Sequence, residues 1–188
     1  MRRQTRRARG FTLIELSTVV VIVGVLAVLA GVGYRRHKAA ARLVEATGMT
    51  SAIRVAQATH KEESGVYANV SNDVDSFYPA AVPGKFATAW GASCATCTEP
   101  NAWRGLNISP DGPVLYGYAT VAGVGTTFPP PKGTSPTVDK DMMFGPVLKP
   151  TSTEPTYITI AKGDLDGDGL PSLVVSYSGS TQLFIQEE

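Results

Sequence analysis

The feature that most constrains this chain is a run of eighteen uncharged residues from Leu16 to Gly33, LSTVVVIVGVLAVLAGVG. A run of that length and apolarity meets the requirement for a helix that crosses a hydrocarbon core. Charge frames it on both sides. Residues 1–10 hold five arginines (Arg2, Arg3, Arg6, Arg7, Arg9) and no acid, and Tyr34-Arg35-Arg36-His37-Lys38 follows the run directly. An aromatic ring and cations at that boundary suit the headgroup layer of a membrane. The net charge of +1 conceals the asymmetry: beyond the leader, 12 Lys and Arg stand against 16 Asp and Glu, a net of −4. A nucleic-acid binder keeps its basic surface in the folded part, so no nucleic-acid partner is expected. Two cysteines and two histidines exclude a zinc-finger array and leave little for histidine-based catalysis.

An ordinary secretory signal shares the Arg-rich start and the apolar run. Two features oppose that reading. No small-x-small cleavage site closes the run, because the next alanine cluster, Ala39 to Ala41, lies beyond the cations. An acid, Glu15, also stands near the start of the apolar stretch. A plain anchor gains nothing from it, although the dipole of a helix N-terminus reduces its cost there.

The Arg-rich leader, Gly10, and Phe11-Thr12-Leu13-Ile14-Glu15-Leu16 opening a long apolar helix resemble the type IV pilins and the pseudopilins of type II secretion. The resemblance covers residues 1–38. It implies cleavage by a prepilin peptidase between Gly10 and Phe11, followed by methylation of the new Phe11 amine. Glu15 then becomes the fifth mature residue, the family's acidic position, and serves subunit assembly. The resemblance further implies a single-pass precursor in the bacterial inner membrane with a periplasmic head, and later a filament. Its partners would be sister subunits, the peptidase and an inner-membrane assembly platform, and it would be no enzyme. Val32 stands where the family's major pilins usually carry proline. A pseudopilin of type II secretion is the alternative within the class. A membrane-anchored periplasmic enzyme or binding protein is the alternative outside it, supported by no GxSxG, HExxH or Walker sequence.

The chemistry gives the motif a mechanism. A charged amine on Phe11 is costly in hydrocarbon unless paired, and Glu15 lies four residues on, on the same helix face. Pairing with its own amine or a neighbour's offsets two desolvation penalties, and the second choice also sets the stagger between helices. Gly24, Gly31 and Gly33 permit close approach of another helix.

The helical pattern outlasts the apolar run. From Arg35 to about Ser64 there is no proline and one glycine, Gly48, and Ala39, Leu43, Ala46, Thr50, Ile53, Gln57 and His60 recur at three- and four-residue steps. Arg42, Glu45, Arg54, Lys61 and Glu62 fall largely off this stripe. Gly65 is the expected stop. All 13 prolines lie at or beyond Pro79. Residues 65–113 and 122–155 read mostly as loops. Strand-like runs are Val114–Val121, Thr156–Lys162, Ser172–Tyr177 and Thr181–Ile185, the last two forming a hairpin around Gly179. The expected fold is therefore α+β, a long N-terminal helix packed on a small antiparallel sheet. Its parts are the leader, 1–10; a transmembrane or filament-core helix, 11–34; an amphipathic helix continuing into the head, 35–64; and a β-rich head with long loops, 65–188.

The head holds two small constellations. Cys94-Ala-Thr-Cys97 is a CxxC with no second pair and no histidine close in sequence, which disfavours zinc. In an oxidising compartment and a loop composition it reads as a structural disulfide, with redox chemistry as the other use of the motif. Asp164-Leu-Asp166-Gly-Asp168-Gly169 matches the opening of a calcium loop, with Leu170 and Ser172 at the seventh and ninth positions. The twelfth position is Val175, where an EF-hand needs a bidentate Glu. Calcium and a plain acidic turn both fit this pattern, and calcium is the only cofactor expected.

Overall fold

The computed structural model describes residues 11–80, 84–91, 100–125, 128–134 and 153–186. The chain divides into two units, one reaching Ala41 and the other beginning at Arg42. The described part of the first unit belongs almost wholly to helix α1, Leu13–Ser64, which continues into the second. Of this helix, Leu13–Tyr34 is long and apolar enough to cross a membrane, and none of it is buried. Val21, Leu26 and Leu29 are all more than half exposed.

In the second unit the same helix has an inside. Ala46, Thr50, Ile53 and Gln57 are fully buried, four members of the stripe read from the sequence. The helix ends where expected. Gly65 has φ +81° and donates its N–H to the Lys61 carbonyl at 2.8 Å, a closure that a side chain at Gly65 would strain.

The sheet has four antiparallel strands in the order β1-β2-β3-β4: Gly117–Val124, Pro155–Gly163, Ser172–Tyr177 and Phe184–Gln186. The α+β expectation holds. The strand starts differ, for identifiable reasons. Val114 pairs instead with Thr88, and the amides of Leu115 and Tyr116 are taken by a helix side chain, so β1 starts at Gly117. It runs on to Val124 because Ala122, Gly123 and Val124 find partners in Tyr157, Thr156 and Pro155. At the other end Arg54 of α1 takes the Thr181 carbonyl, and β4 begins only at Phe184. A short helix, α2 (Pro100–Gly105), lies within a stretch read as loop, and buries Trp103.

Alternation along the strands separates two faces. One face turns Tyr118, Ala161 and Val174 into a core shared with Ala46 and Ile53 of α1 and with Trp103. The other turns Ala119, Ile158, Ile160, Leu173 and Val175 against Val74, Phe77 and Phe128. The sequence pattern at Tyr157–Ala161 reads as a half-buried strand, yet all five residues are buried. Loop residues 74–77 and 128 supply the second cover, and such long-range cover leaves no periodic trace in the strand itself.

Candidate functional site

Building from the chain upward, the first site is the opening of α1. Thr12 precedes the helix, and its hydroxyl accepts the Glu15 N–H at 3.3 Å. Glu15 reaches back: one carboxylate oxygen accepts the Thr12 N–H at 2.8 Å and the Thr12 hydroxyl at 2.7 Å. This is a reciprocal capping box, satisfying N–H groups that the first turn of any helix leaves unpaired. It also gives a carboxylate at the edge of an apolar helix two donors from its own chain. Phe11 lies just outside the box and is 85% exposed. Gly10, the other half of the expected cleavage site, lies outside the described residues. Thr12 was not among the expected site residues, although its signal is local and readable: Thr12-Leu-Ile-Glu15 is the T-x-x-E pattern of such a box.

A second set of contacts fixes α1 to the sheet within the second unit. Glu45 accepts the N–H of Leu115 at 2.7 Å, the N–H of Tyr116 at 3.3 Å and the Tyr118 hydroxyl at 3.3 Å. Burial, and then the Glu45 charge, push the Tyr118 hydroxyl far above the usual tyrosine range. Gln57 pairs with Ala68 as one strand pairs with another, donating to its carbonyl and accepting its N–H, each at 2.8 Å. The same Gln57 amide donates to Thr120 Oγ1 at 3.2 Å, and Thr120 shares a 2.8 Å hydrogen bond with Thr159. Arg42 donates to the Leu165 carbonyl at 2.9 Å. Residues read as off the helix stripe, Arg42, Glu45 and Arg54, thus border the buried stripe and close the contact. Their partners are 70 to 127 residues away, beyond the reach of a helical period.

The acidic loop follows β2. One ligand atom from each of Asp164, Asp166 and Asp168 lies within 4.8 Å of the others. The same carboxylates cap their own turns. Asp164 accepts the N–H groups of Gly167 (2.7 Å) and Gly169 (3.1 Å), Asp166 that of Asp168 (3.1 Å), and Asp168 that of Leu170 (2.7 Å). Gly167 and Gly169 have φ +84° and +88°, the conformations these reversals demand. Ser172 departs from its expected place beside the aspartates: its buried hydroxyl bonds the Tyr116 hydroxyl at 2.9 Å and the Gly163 carbonyl at 3.2 Å. The Leu170 side chain is exposed. Cys94 and Cys97 lie outside the described residues.

An apolar N-terminal helix and a four-stranded antiparallel sheet make an α+β, pilin-like layout. Comparison with known proteins agrees. Residues 5–31, which include Gly10, Phe11 and Glu15, match the prokaryotic N-terminal methylation motif. The chain is 37% identical over 68 residues to the type IV major pilin protein PilA of Myxococcus xanthus (strain DK1622). That match covers 36% of this chain and 31% of the relative. No solved structure matches. The chain thus carries a prepilin-type N-terminal methylation motif, is similar over 68 residues to a type IV major pilin, and opens with a helix long and apolar enough to cross a membrane.

Proposed function

We propose that this protein is a structural subunit of a type IV pilus or pilus-like filament, with no catalytic turnover of its own. The observation that carries the reading is a 22-residue apolar span with none of its residues buried, opened by a carboxylate held at its first turn. A face that apolar needs a nonaqueous partner, which lipid supplies before assembly and helices of sister subunits supply after it. The matched motif supports cleavage by a prepilin peptidase after Gly10 and methylation of Phe11. An inner-membrane assembly platform would then receive the processed subunit, with the head on the periplasmic side. Once the leader is gone the Thr12 N–H and hydroxyl remain beside Glu15, and the Phe11 amine joins them as a further donor. Intact-mass analysis of membrane-extracted protein tests the first step. The expected chain starts at Phe11 and carries one added methyl group; a chain starting at Met1 or after Ala41 overturns it. Mass spectrometry of sheared surface filaments tests the second, and absence of the chain from every filament fraction would remove the structural reading.

A further inference from the structure

The turn of α1 that follows the apolar span has a composition of its own. Leu13–Tyr34 rises about 33 Å at 1.5 Å per residue, against a hydrocarbon core of about 30 Å. The next four positions, Arg35, Arg36, His37 and Lys38, therefore fall at headgroup depth when the span is filled by lipid. Residues 35–38 are helical, and four consecutive positions at 3.6 per turn are spread around the axis. Tyr34 is 70% exposed at the boundary, and His37 and Lys38 are exposed beyond it. Between Glu15 and Glu45 the sequence holds no acid. The next cation, Arg42, is already engaged with the Leu165 carbonyl and belongs to the second unit.

We propose that Arg35, Arg36, His37 and Lys38 form a cationic collar that gathers anionic phospholipids around the helix where it leaves the bilayer. The proposal rests on the membrane-anchored reading above. Depth and charge both select the ligand. Phosphodiester headgroups with a net negative charge stand at that level all round the helix, whereas zwitterionic headgroups bring their own cation. Each Lys or Arg near an anionic surface favours it about fivefold at moderate ionic strength. The collar makes the unassembled subunit prefer anionic lipid, and leaving that lipid becomes a step of assembly with an electrostatic cost that salt reduces.

The full chain is reconstituted in vesicles of equal phosphatidylglycerol and phosphatidylcholine. It is then extracted in limiting detergent, and the retained lipid is quantified. The expected ratio of phosphatidylglycerol to phosphatidylcholine is fivefold or more, falling toward one when extraction is done in 1 M salt. The leader arginines also attract anionic lipid, so the decisive comparison is with the triple variant Arg35→Gln, Arg36→Gln, Lys38→Gln. Its ratio should fall by at least fivefold, and Arg35→Lys with Arg36→Lys should keep the wild-type ratio. An unchanged ratio in the triple variant overturns the collar while leaving the anchor intact. A chain that fails to float with the vesicles at all overturns the membrane reading, and the collar with it.

Discussion

Residues 13–34 and 42–64 of α1 share one backbone geometry and have opposite surroundings. In the first stretch apolar side chains cover every side and none of the span is buried. In the second, apolar and small residues occupy one stripe, with Ala46, Thr50, Ile53 and Gln57 buried and Val44 and Val55 left outside. The first stretch is built for a surrounding with no preferred side, and the second for a single facing surface. The bonds differ as well. Among the described residues the exposed end keeps its polar contacts within four residues, as between Thr12 and Glu15 or Thr18 and the Ile14 carbonyl. The packed end sends Glu45 and Gln57 to distant backbone. Secondary structure alone does not tell what a helix is for; the range of its polar contacts does.

Substitutions at the two ends should therefore fail in different assays. The largest effect is expected from Glu15→Val, which removes the carboxylate that meets Thr12 and that, on the proposed function, would meet the Phe11 amine after processing. Incorporation into filaments, read by shearing and immunoblot, should drop at least tenfold, while the thermal melt of the head in the detergent-solubilised chain stays put. Wild-type incorporation would break the comparison at its first term.

At the packed end the outcome should invert. Gln57→Leu leaves the half-buried Ala68 N–H and carbonyl without their partner, at about 1 kcal/mol each, toward the lower end of the cost for a buried group. Ile53→Ala empties a fully buried position at about 2–5 kcal/mol. Both should lower the denaturation midpoint of the head, followed by near-ultraviolet circular dichroism. Leu26→Ala, in the exposed span, should leave that midpoint unchanged.

Alkaline pH should weaken the head that the packed end of α1 joins. The Tyr157 hydroxyl is pushed up to about 12, mainly by burial, and that of Tyr118 is raised further by burial and the Glu45 charge. A tyrosine whose folded pKa exceeds its unfolded value of about 10 keeps its contribution below pH 10 and loses it as pH rises toward the folded value. Stability of the head should thus fall above pH 10, by on the order of 1 kcal/mol per pH unit for each tyrosine. A denaturation midpoint that is flat from pH 9 to 11.5 would contradict the burial of these rings.

The smallest effect concerns the loop after β2. The calcium reading of Asp164, Asp166 and Asp168 predicts a melting temperature a few degrees higher in millimolar calcium than in chelator, with the rise absent in Asp166→Ala. Superimposed melts would leave the three carboxylates as caps of their own turns, which they already are by hydrogen bonding.

What could be read from the sequence divides along the same line. The helix from Leu13 to Ser64, its stop at Gly65 and the strands β2 and β3 follow from local pattern, because periodicity and turn chemistry are local quantities. The role of Glu45 was hidden, since a charged residue beside an apolar stripe looks like a solvated one until Leu115 and Tyr116 are brought to it. The double cover of β2 was hidden for the same reason: Phe77 and Phe128 reach it from loops whose composition carries no period. The Thr12–Glu15 box spans four residues and was fully legible as a capping motif.

The placement of Arg42, Glu45, Arg54 and Gln57 along α1 also decides how the subunit bears force. Glu45 and Gln57 alone lie twelve residues apart, about 18 Å along the axis. Their bonds to Leu115 and Ala68 hold the helix at two separate levels. A tug along the axis loads them together in shear, as rivets in a lap joint share a load, and the joint yields only when several give way at once. Peeling from one end would break the same bonds singly, so tension along the helix is the direction this contact resists best.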